Sequence, residues 1–317
     1  MAHRLGVSSS DIVTAAEYLR LGGVVGLPTE TVYGLAASAF NSDAVSEIFR
    51  LKGRPSNNPL IVHIHDFNQV DQLARNPPPS LTKLVDQYWP GPLTVVLEAR
   101  PEVPKIVLAG GSTVGIRMPA HPVFREVLSA LGEPLAAPSA NRSNHVSPTN
   151  AAHVESDFPD ENFPILDAGA SMIGLESTVL SLVGAPKVLR LGGVPTSALR
   201  ELIPDLQVQV PTQQADSPGT SSRHYAPKKP FRIWINKQPS GSFGVLVFGT
   251  PFQHEANKVW DLGNKPLEAA KKLYSTIREM DQSNFDSLFV VLPNQKQMNQ
   301  SDWTAIMDRL VRATQSK

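Results

Sequence analysis

The sequence predicts a two-domain α/β protein. Strand-like and helix-like segments alternate along most of the chain, and a polar, proline-rich stretch interrupts them near residue 220. The length of 317 residues also exceeds what one small core uses. Residues 1–210 form the first expected domain, residues 211–230 a linker, and residues 231–317 a small second domain.

Apolar residues Ile12, Ala15, Ala16 and Leu19 fall at helical spacing and predict a helix over Ile12 to Leu21. Val24 to Leu27 reads as a short strand. Val45, Ile48 and Phe49 share a face of a helix over Asp43 to Lys52, which Gly53 caps and Pro55 stops. Leu60 to Ile64, Leu93 to Leu97, Val114 to Met118 and Thr178 to Leu182 read as β-branched strands. The stretch 211–230, PTQQADSPGTSSRHYAPKKP, lacks either period and holds four prolines, so it reads as a connector. After it come strands at Phe231 to Ile235 and Gly244 to Phe248, and a helix over Leu267 to Met280. A strand at Leu288 to Leu292 and a helix at Trp303 to Arg312 follow. That order predicts a doubly wound, Rossmann-like α/β unit.

Lysine plus arginine equals aspartate plus glutamate, 29 against 29, so a broadly basic, nucleic-acid-wrapping surface is not expected. The absence of cysteine excludes disulfides, thiolate metal sites and cysteine nucleophiles. No apolar run approaches the ~18 residues of a membrane span, and the N-terminus lacks a secretory pattern. A cytoplasmic protein is expected. GxxxxGK[ST], GxGxxG after a strand and HExxH are all missing. His63 and His65, two apart on a strand, lack a third ligand for zinc.

The densest polar stretch runs from Pro28 to Pro59. Threonine hydroxyls in PTETVYG suit a small polar ligand, and equally suit an ordinary strand–turn–helix junction. Lys52 and Arg54 read two ways. Cations at a helix C-terminus complement its dipole, and the same pair makes a phosphate clamp. The small, hydroxyl-rich run from Ala136 to Ser143, continuing to Thr149, lets a ligand approach the backbone, or forms a loop with Ser147 or Thr149 as a helix N-cap.

Seven stretches in order, PTETVYGL (28–35), KGRPSNN (52–58), YWPGPLT (88–94), GIRMP (115–119), APSAN (137–141), ESTV (176–179) and RLGG (190–193), resemble the YrdC-like threonylcarbamoyl-AMP synthase family. SPG at 217–219, RHYAP at 223–227 and the following α/β segment resemble its longer, two-domain branch; Thr220, Ser221 and Ser222 depart from the pattern. The resemblance implies a twisted α/β domain with a large concave cavity. It implies condensation of L-threonine with bicarbonate or CO2 and adenylation of the carbamate by ATP, with pyrophosphate leaving. A separate transferase then modifies tRNA, so direct tRNA binding is not required.

By the same resemblance, Lys52, Arg54, Ser139 and Asn141 form the catalytic tetrad. Arg54, Asn58, Thr113, Ser139, Ser147, Arg190 and Tyr225 face ATP. Thr31, His63, Arg117, Ala137 and Ser177 face L-threonine. Fixed cations and donors stabilise charge building on the phosphoryl oxygens. Mg²⁺ is expected on the ATP phosphates rather than on protein ligands. The rival readings are an RNA-binding module without ATP turnover, and a different carbamoyl-adenylating enzyme that uses carbamoyl phosphate.

Overall fold

The computed structural model describes residues 3–209, 224–237, 239–298 and 301–315. The connector from 211 to 223, with SPG, Thr220 to Ser222 and Arg223, lies outside the described residues.

The expected two-domain α/β architecture is present. The first domain carries strands β1 (His3–Leu5), β2 (Val25–Leu27), β3 (Gly34–Ser38), β4 (Ile61–His63), β5 (Leu93–Glu98) and β6 (Thr113–Arg117). It continues with β7 (Leu135–Ala136), β8 (Pro164–Leu166), β9 (Thr178–Ser181), β10 (Lys187–Arg190) and β11 (Gln207–Val208). They form one mixed sheet in the order β1-β8-β2-β3-β7-β4-β6-β5-β9-β10-β11. Its helices are α1 (Ser9–Arg20), α2 (Ser42–Lys52), α3 (Val70–Leu73), α4 (Ser80–Tyr88), α5 (Pro122–Leu131), α6 (Ala151–Asp157) and α7 (Thr196–Leu202).

Local chemistry sets the helix ends. Ser8 and Asp11 form a capping box at α1. Asn41 caps α2, and Gly53 closes it at φ 58°, a left-handed conformation that glycine adopts without a Cβ penalty. Asn150, not Ser147 or Thr149, caps α6, because its side chain accepts from the His153 N–H. Strand alternation builds two cores. Leu35 and Ala37 of β3 join the core with α2 and α4, whereas Ala36 joins the one with α1 and α5. Leu19, Leu35, Ile48 and Phe124 are fully buried, and each contributes roughly 1.5–3 kcal/mol of burial. The PTETVYG stretch does not run into a helix. It turns the chain back from β2 into antiparallel β3.

The second domain has parallel strands β12 (Phe231–Ile233), β13 (Phe243–Val247), β14 (Lys258–Asp261) and β15 (Ser287–Val290), in the order β12-β15-β13-β14. Its helices are α8 (Pro266–Gln282), α9 (Gln295–Met298) and α10 (Thr304–Thr314). Strand β14 is additional to the sequence expectation; its KVWD sequence is too short for a clear period. The sheet is parallel, as in a Rossmann-like unit, but it is not doubly wound as expected, because both long helices bury their apolar stripes against the same sheet face. Both long helices share a core with Leu246, Phe248, Leu288 and Val290, on one sheet face. Phe243, Val245, Val247 and Phe289 line the other face, with Trp234 and Phe252 against them.

The helical side of this domain packs on the first. Val32, Val146, Leu175 and Tyr225 share a core with Leu273, Tyr274 and Ile277. Arg278 pairs with Asp157 at 2.6 Å. Gly174 lies so close to α8 that a Cβ there would meet the Ala270 carbonyl oxygen at 2.6 Å.

Candidate active site

A cavity opens where the ends of β2, β4, β6 and β10 meet the loops before β3, after β7 and before β9. Thr29, Thr31, Arg54, His63, Arg117, Ala137, Ser139, Glu176, Ser177, Arg190, His224 and Tyr225 are among its lining residues. Residues separated by almost 200 positions thus share one wall. Register explains part of it: His63 and Arg117 are directly paired on parallel β4 and β6.

Arg117 is buried and held on three sides. Its Nε donates to the Gly91 carbonyl at 3.2 Å, Nη1 to Thr31 Oγ1 at 2.9 Å, and Nη2 to Glu30 Oε1 at 2.6 Å. Burial alone would raise the Glu30 carboxyl, but the Arg117 guanidinium holds it below the ordinary carboxylate value. Five donors less three leaves two N–H groups of Arg117 for another partner. Beside it, His63 is pushed down to about 3 by burial and then by the Arg117 charge, so its ring is neutral. Its Nδ1 has no hydrogen-bond partner. Ser177 Oγ shares a 2.7 Å hydrogen bond with Thr94 Oγ1.

At the other end, Arg54 donates Nε to the Asn58 carbonyl at 3.0 Å, and Nη2 to Asn58 Oδ1 at 2.5 Å and the Pro59 carbonyl at 2.9 Å. Asn58 therefore orients Arg54 and does not itself line the cavity. Burial, then the neighbouring Arg190, lower the Arg54 guanidinium to about 9. Arg190 in turn is anchored on Ser177, with Nε 3.1 Å from its carbonyl and Nη2 3.0 Å from its Oγ. The RLGG motif has a steric reason: a Cβ on Gly192 would sit 2.3 Å from the Glu176 carbonyl oxygen.

Lys52 is almost fully buried behind this wall. Its Nζ donates to the Ser139 carbonyl at 2.5 Å and the Asn141 carbonyl at 2.6 Å. Burial, then Arg54, lower its pKa well below the ordinary lysine value. Ser139 Oγ donates to Asn141 Oδ1 at 2.5 Å, and Asn141 Nδ2 donates to the Arg142 and His145 carbonyls. The four residues of the tetrad are therefore neighbours, with Arg54 and Ser139 at the cavity and Lys52 and Asn141 supporting them. Ser147 also stands one shell back, donating Oγ to Glu176 Oε1 at 2.6 Å. Thr113 begins β6, four residues before Arg117, and does not line the cavity.

Tyr225 is fully buried and holds a left-handed φ of 60°, unusual for a non-glycine residue. Its ring packs against His224 at 4.1 Å and stacks on Tyr274 at 5.6 Å. Glu30, Glu176, Tyr274 and Arg309 are site residues that no motif pattern singles out. The first two lie inside quoted motifs. Arg309 interrupts the apolar stripe Ile306, Leu310, Ala313, which is a readable signal. Among the described residues, no group of three or more His, Asp or Glu is placed to hold a metal ion, and no helix is long and apolar enough to cross a membrane.

Residues 17–192 match the Sua5/YciO/YrdC family model, described as "Telomere recombination". Residues 194–315 match the model described as "Threonylcarbamoyl-AMP synthase, C-terminal domain". The threonylcarbamoyl-AMP synthase of Pyrococcus abyssi is 37% identical over 95% of this chain and 93% of its own length. That of Bacillus subtilis is 38% identical over 98% and 94%. The crystal structure of P. abyssi Sua5 complexed with L-threonine superposes with a TM-score of 0.91 at 34% identity, covering 99% of this chain and 98% of that one. Two family models that together span nearly all of the sequence, and full-length relatives above 30% identity, place the chain in the Sua5/YciO/YrdC family, in its two-domain threonylcarbamoyl-AMP synthase branch.

Proposed function

We infer that this cavity makes L-threonylcarbamoyl-AMP from L-threonine, bicarbonate or CO2, and ATP, as a nucleotidyltransferase. The observation that carries the reading is the convergence of Arg54, Arg117 and Arg190 with the Ser139 and Ser177 hydroxyls on one cavity. Such a surface suits two anions, an amino-acid carboxylate and a triphosphate.

The two spare N–H groups of Arg117 suit the threonine carboxylate, and Thr31, His63, Ala137 and Ser177 surround that end. Neutral His63 adds no further cation and offers a polar edge to the substrate. The neutral threonine amine forms its N–C bond to the carbon of CO2, one C=O pair moves onto oxygen and a proton leaves the nitrogen for solvent; from bicarbonate, that proton and the carbon's hydroxyl leave together as water. A carbamate oxygen then forms a bond to the α-phosphorus, and the bond from that phosphorus to the bridging oxygen breaks. Pyrophosphate carries the electron pair away. The carbamate is already an anion, so the residues act chiefly by orientation and charge stabilisation. Arg54, Arg190 and Ser139 are placed for the phosphates. Asn58 holds Arg54 from behind, Lys52 and Asn141 hold Ser139, and Ser147 bonds the neighbouring Glu176. Tyr225 closes over the nucleotide.

Glu176 is the carboxylate among the lining residues, and Arg309, Tyr274 and Ser147 already occupy its oxygens. A protein-held magnesium does not suit such a wall. Mg²⁺ enters as part of the MgATP substrate, carried by phosphates and water. The product supplies a threonylcarbamoyl group to a separate transferase acting on tRNA.

The test is pyrophosphate release from MgATP with bicarbonate across a panel of amino acids. Release that needs both L-threonine and bicarbonate supports the reading. Release indifferent to the amino acid points to another adenylating chemistry. No release, with salt-sensitive RNA binding, would move the assignment to the RNA-binding alternative.

A further inference from the structure

Arg309 of α10 is 1% exposed, although it is charged and belongs to the second domain. Its donors reach across the domain boundary. Nε lies 2.9 Å from Glu176 Oε2 and 3.1 Å from the Tyr274 hydroxyl, and Nη2 lies 2.8 Å from the Leu191 carbonyl. Nη1 pairs with Asp308 at 2.6 Å. The guanidinium carbon stands 4.7 Å from the centre of the Tyr225 ring, within cation–π range.

Three of these contacts adjoin the nucleotide end of the cavity. Glu176 anchors Ser147, Leu191 follows Arg190 in the chain, and Tyr225 lines the cavity. We propose that the second domain builds the nucleotide end of the active site through Arg309, a positioning residue for ATP. The proposal rests on the ATP-dependent reading above.

The physical reason is charge pairing. Glu176 is a buried carboxylate, and a buried carboxylate demands a cation. Arg309 fills that demand from behind. Without it, Arg190 is the next cation acting on Glu176, and its guanidinium would be drawn toward the carboxylate and away from phosphate. The same loss removes the cation that faces the Tyr225 ring. Threonine recognition is centred on Arg117 and Thr31, which keep their own contacts; only Ser177, which Arg190 touches, is shared between the ends, so the threonine parameter moves little.

The experiment compares KM for ATP and KM for L-threonine in pyrophosphate release by the full chain. Arg309→Met is expected to raise KM for ATP at least tenfold and leave KM for threonine within about twofold. Adding Glu176→Gln to Arg309→Met, which removes the unpaired carboxylate, is expected to recover most of that loss. The second substitution would also relieve a loss of stability, so the split between the substrates decides: positioning moves and recovers KM for ATP while KM for threonine stays put, whereas a structural defect moves both. Should Arg309→Met fail to fold, Tyr274→Phe removes one hydrogen bond to Glu176 and keeps the ring stack; a two- to fivefold rise in KM for ATP alone is expected. Unchanged KM for ATP in a folded variant, an equal rise for both substrates, or no recovery in the double variant would overturn the proposal. If the unaltered chain shows no ATP-dependent release, the reading beneath it fails first, and the proposal with it.

Discussion

Arg309 and Glu176 form a buried ion pair, Nε to Oε2 at 2.9 Å, although they sit on different domains. Burial would raise the Glu176 carboxyl from its ordinary 4.5, yet Arg309, Arg190 and the Ser147 hydroxyl bring it down to about 2. A depressed carboxyl contributes stability above pH 4.5 and loses it as the pH falls toward 2. Removing Arg309 strands a buried charge, a change that typically costs about 3–5 kcal/mol. Urea unfolding of Arg309→Met at pH 7 and pH 4 checks this. The expected loss is larger at pH 7, where Glu176 must stay ionised; equal stability to the parent at pH 7 would refute the pairing.

His63 and His224 predict a second pH effect in a higher window. Burial lowers each to about 3 from an ordinary 6.5. Between those values the unfolded chain binds one more proton per histidine, so stability falls as the pH drops below 6.5. The slope is about 1.4 kcal/mol per pH unit for each proton. His63→Gln is expected to remove one proton's worth of slope between pH 6 and 4, read from denaturant titrations at several pH values. An unaltered slope would mean that His63 charges freely in the folded state.

Lys52 predicts a loss of catalysis that charge alone does not rescue. Its ammonium group bridges two carbonyls that carry Ser139 and Asn141. Lys52→Met is expected to lower pyrophosphate release by roughly 10²-fold or more, by analogy with loss of one fixed donor. Lys52→Arg restores the charge but overfills a closed site, where extra volume costs about 1–3 kcal/mol. It is expected to stay impaired and to melt lower. Near-normal turnover in Lys52→Arg would show that positive charge, not the two-carbonyl bridge, is what matters.

Glu30 predicts a substrate-selective defect. It fixes the Arg117 guanidinium at 2.6 Å, and Glu30→Gln weakens a charge-assisted hydrogen bond while keeping the shape. KM for L-threonine is expected to rise about tenfold, a change of roughly 1.4 kcal/mol, with KM for ATP little changed. Steady-state kinetics with each substrate varied in turn decide it, and a shift in the ATP parameter alone would misplace Arg117.

Gly192 predicts a steric effect. A methyl group there meets the Glu176 carbonyl oxygen at 2.3 Å, and backbone cannot yield as a side chain tip does. Gly192→Ala is expected to lower the melting temperature by at least about 5 °C, since an overpacked site costs one to several kcal/mol. A melting curve that matches the parent would show that the two loops separate at little cost.

Periodicity located the long elements because they bury one face: Val45, Ile48 and Leu51 on α2, and Leu273, Ile277 and Met280 on α8, are all in the core. Boundaries moved by a residue or a few where capping decided them, as at Ser8 and Asn41. Short strands such as β7 and β14 stayed hidden, since two to four residues carry no usable period.

The two-domain α/β plan, the helices that end in Lys52 and near Arg312, and the motifs that mark the cavity wall are written in the order of residues along the chain. Those features are local, carried by spacing, caps and residue type. Tertiary structure alone decided which motif residues touch the cavity and which stand behind it, as Lys52, Asn58, Asn141 and Ser147 do. It alone paired Glu30 with Arg117 and Glu176 with Arg309. The reason is physical: a buried charge takes its partner from whatever strand or helix the fold brings within about 3 Å, and no spacing along the chain records that distance.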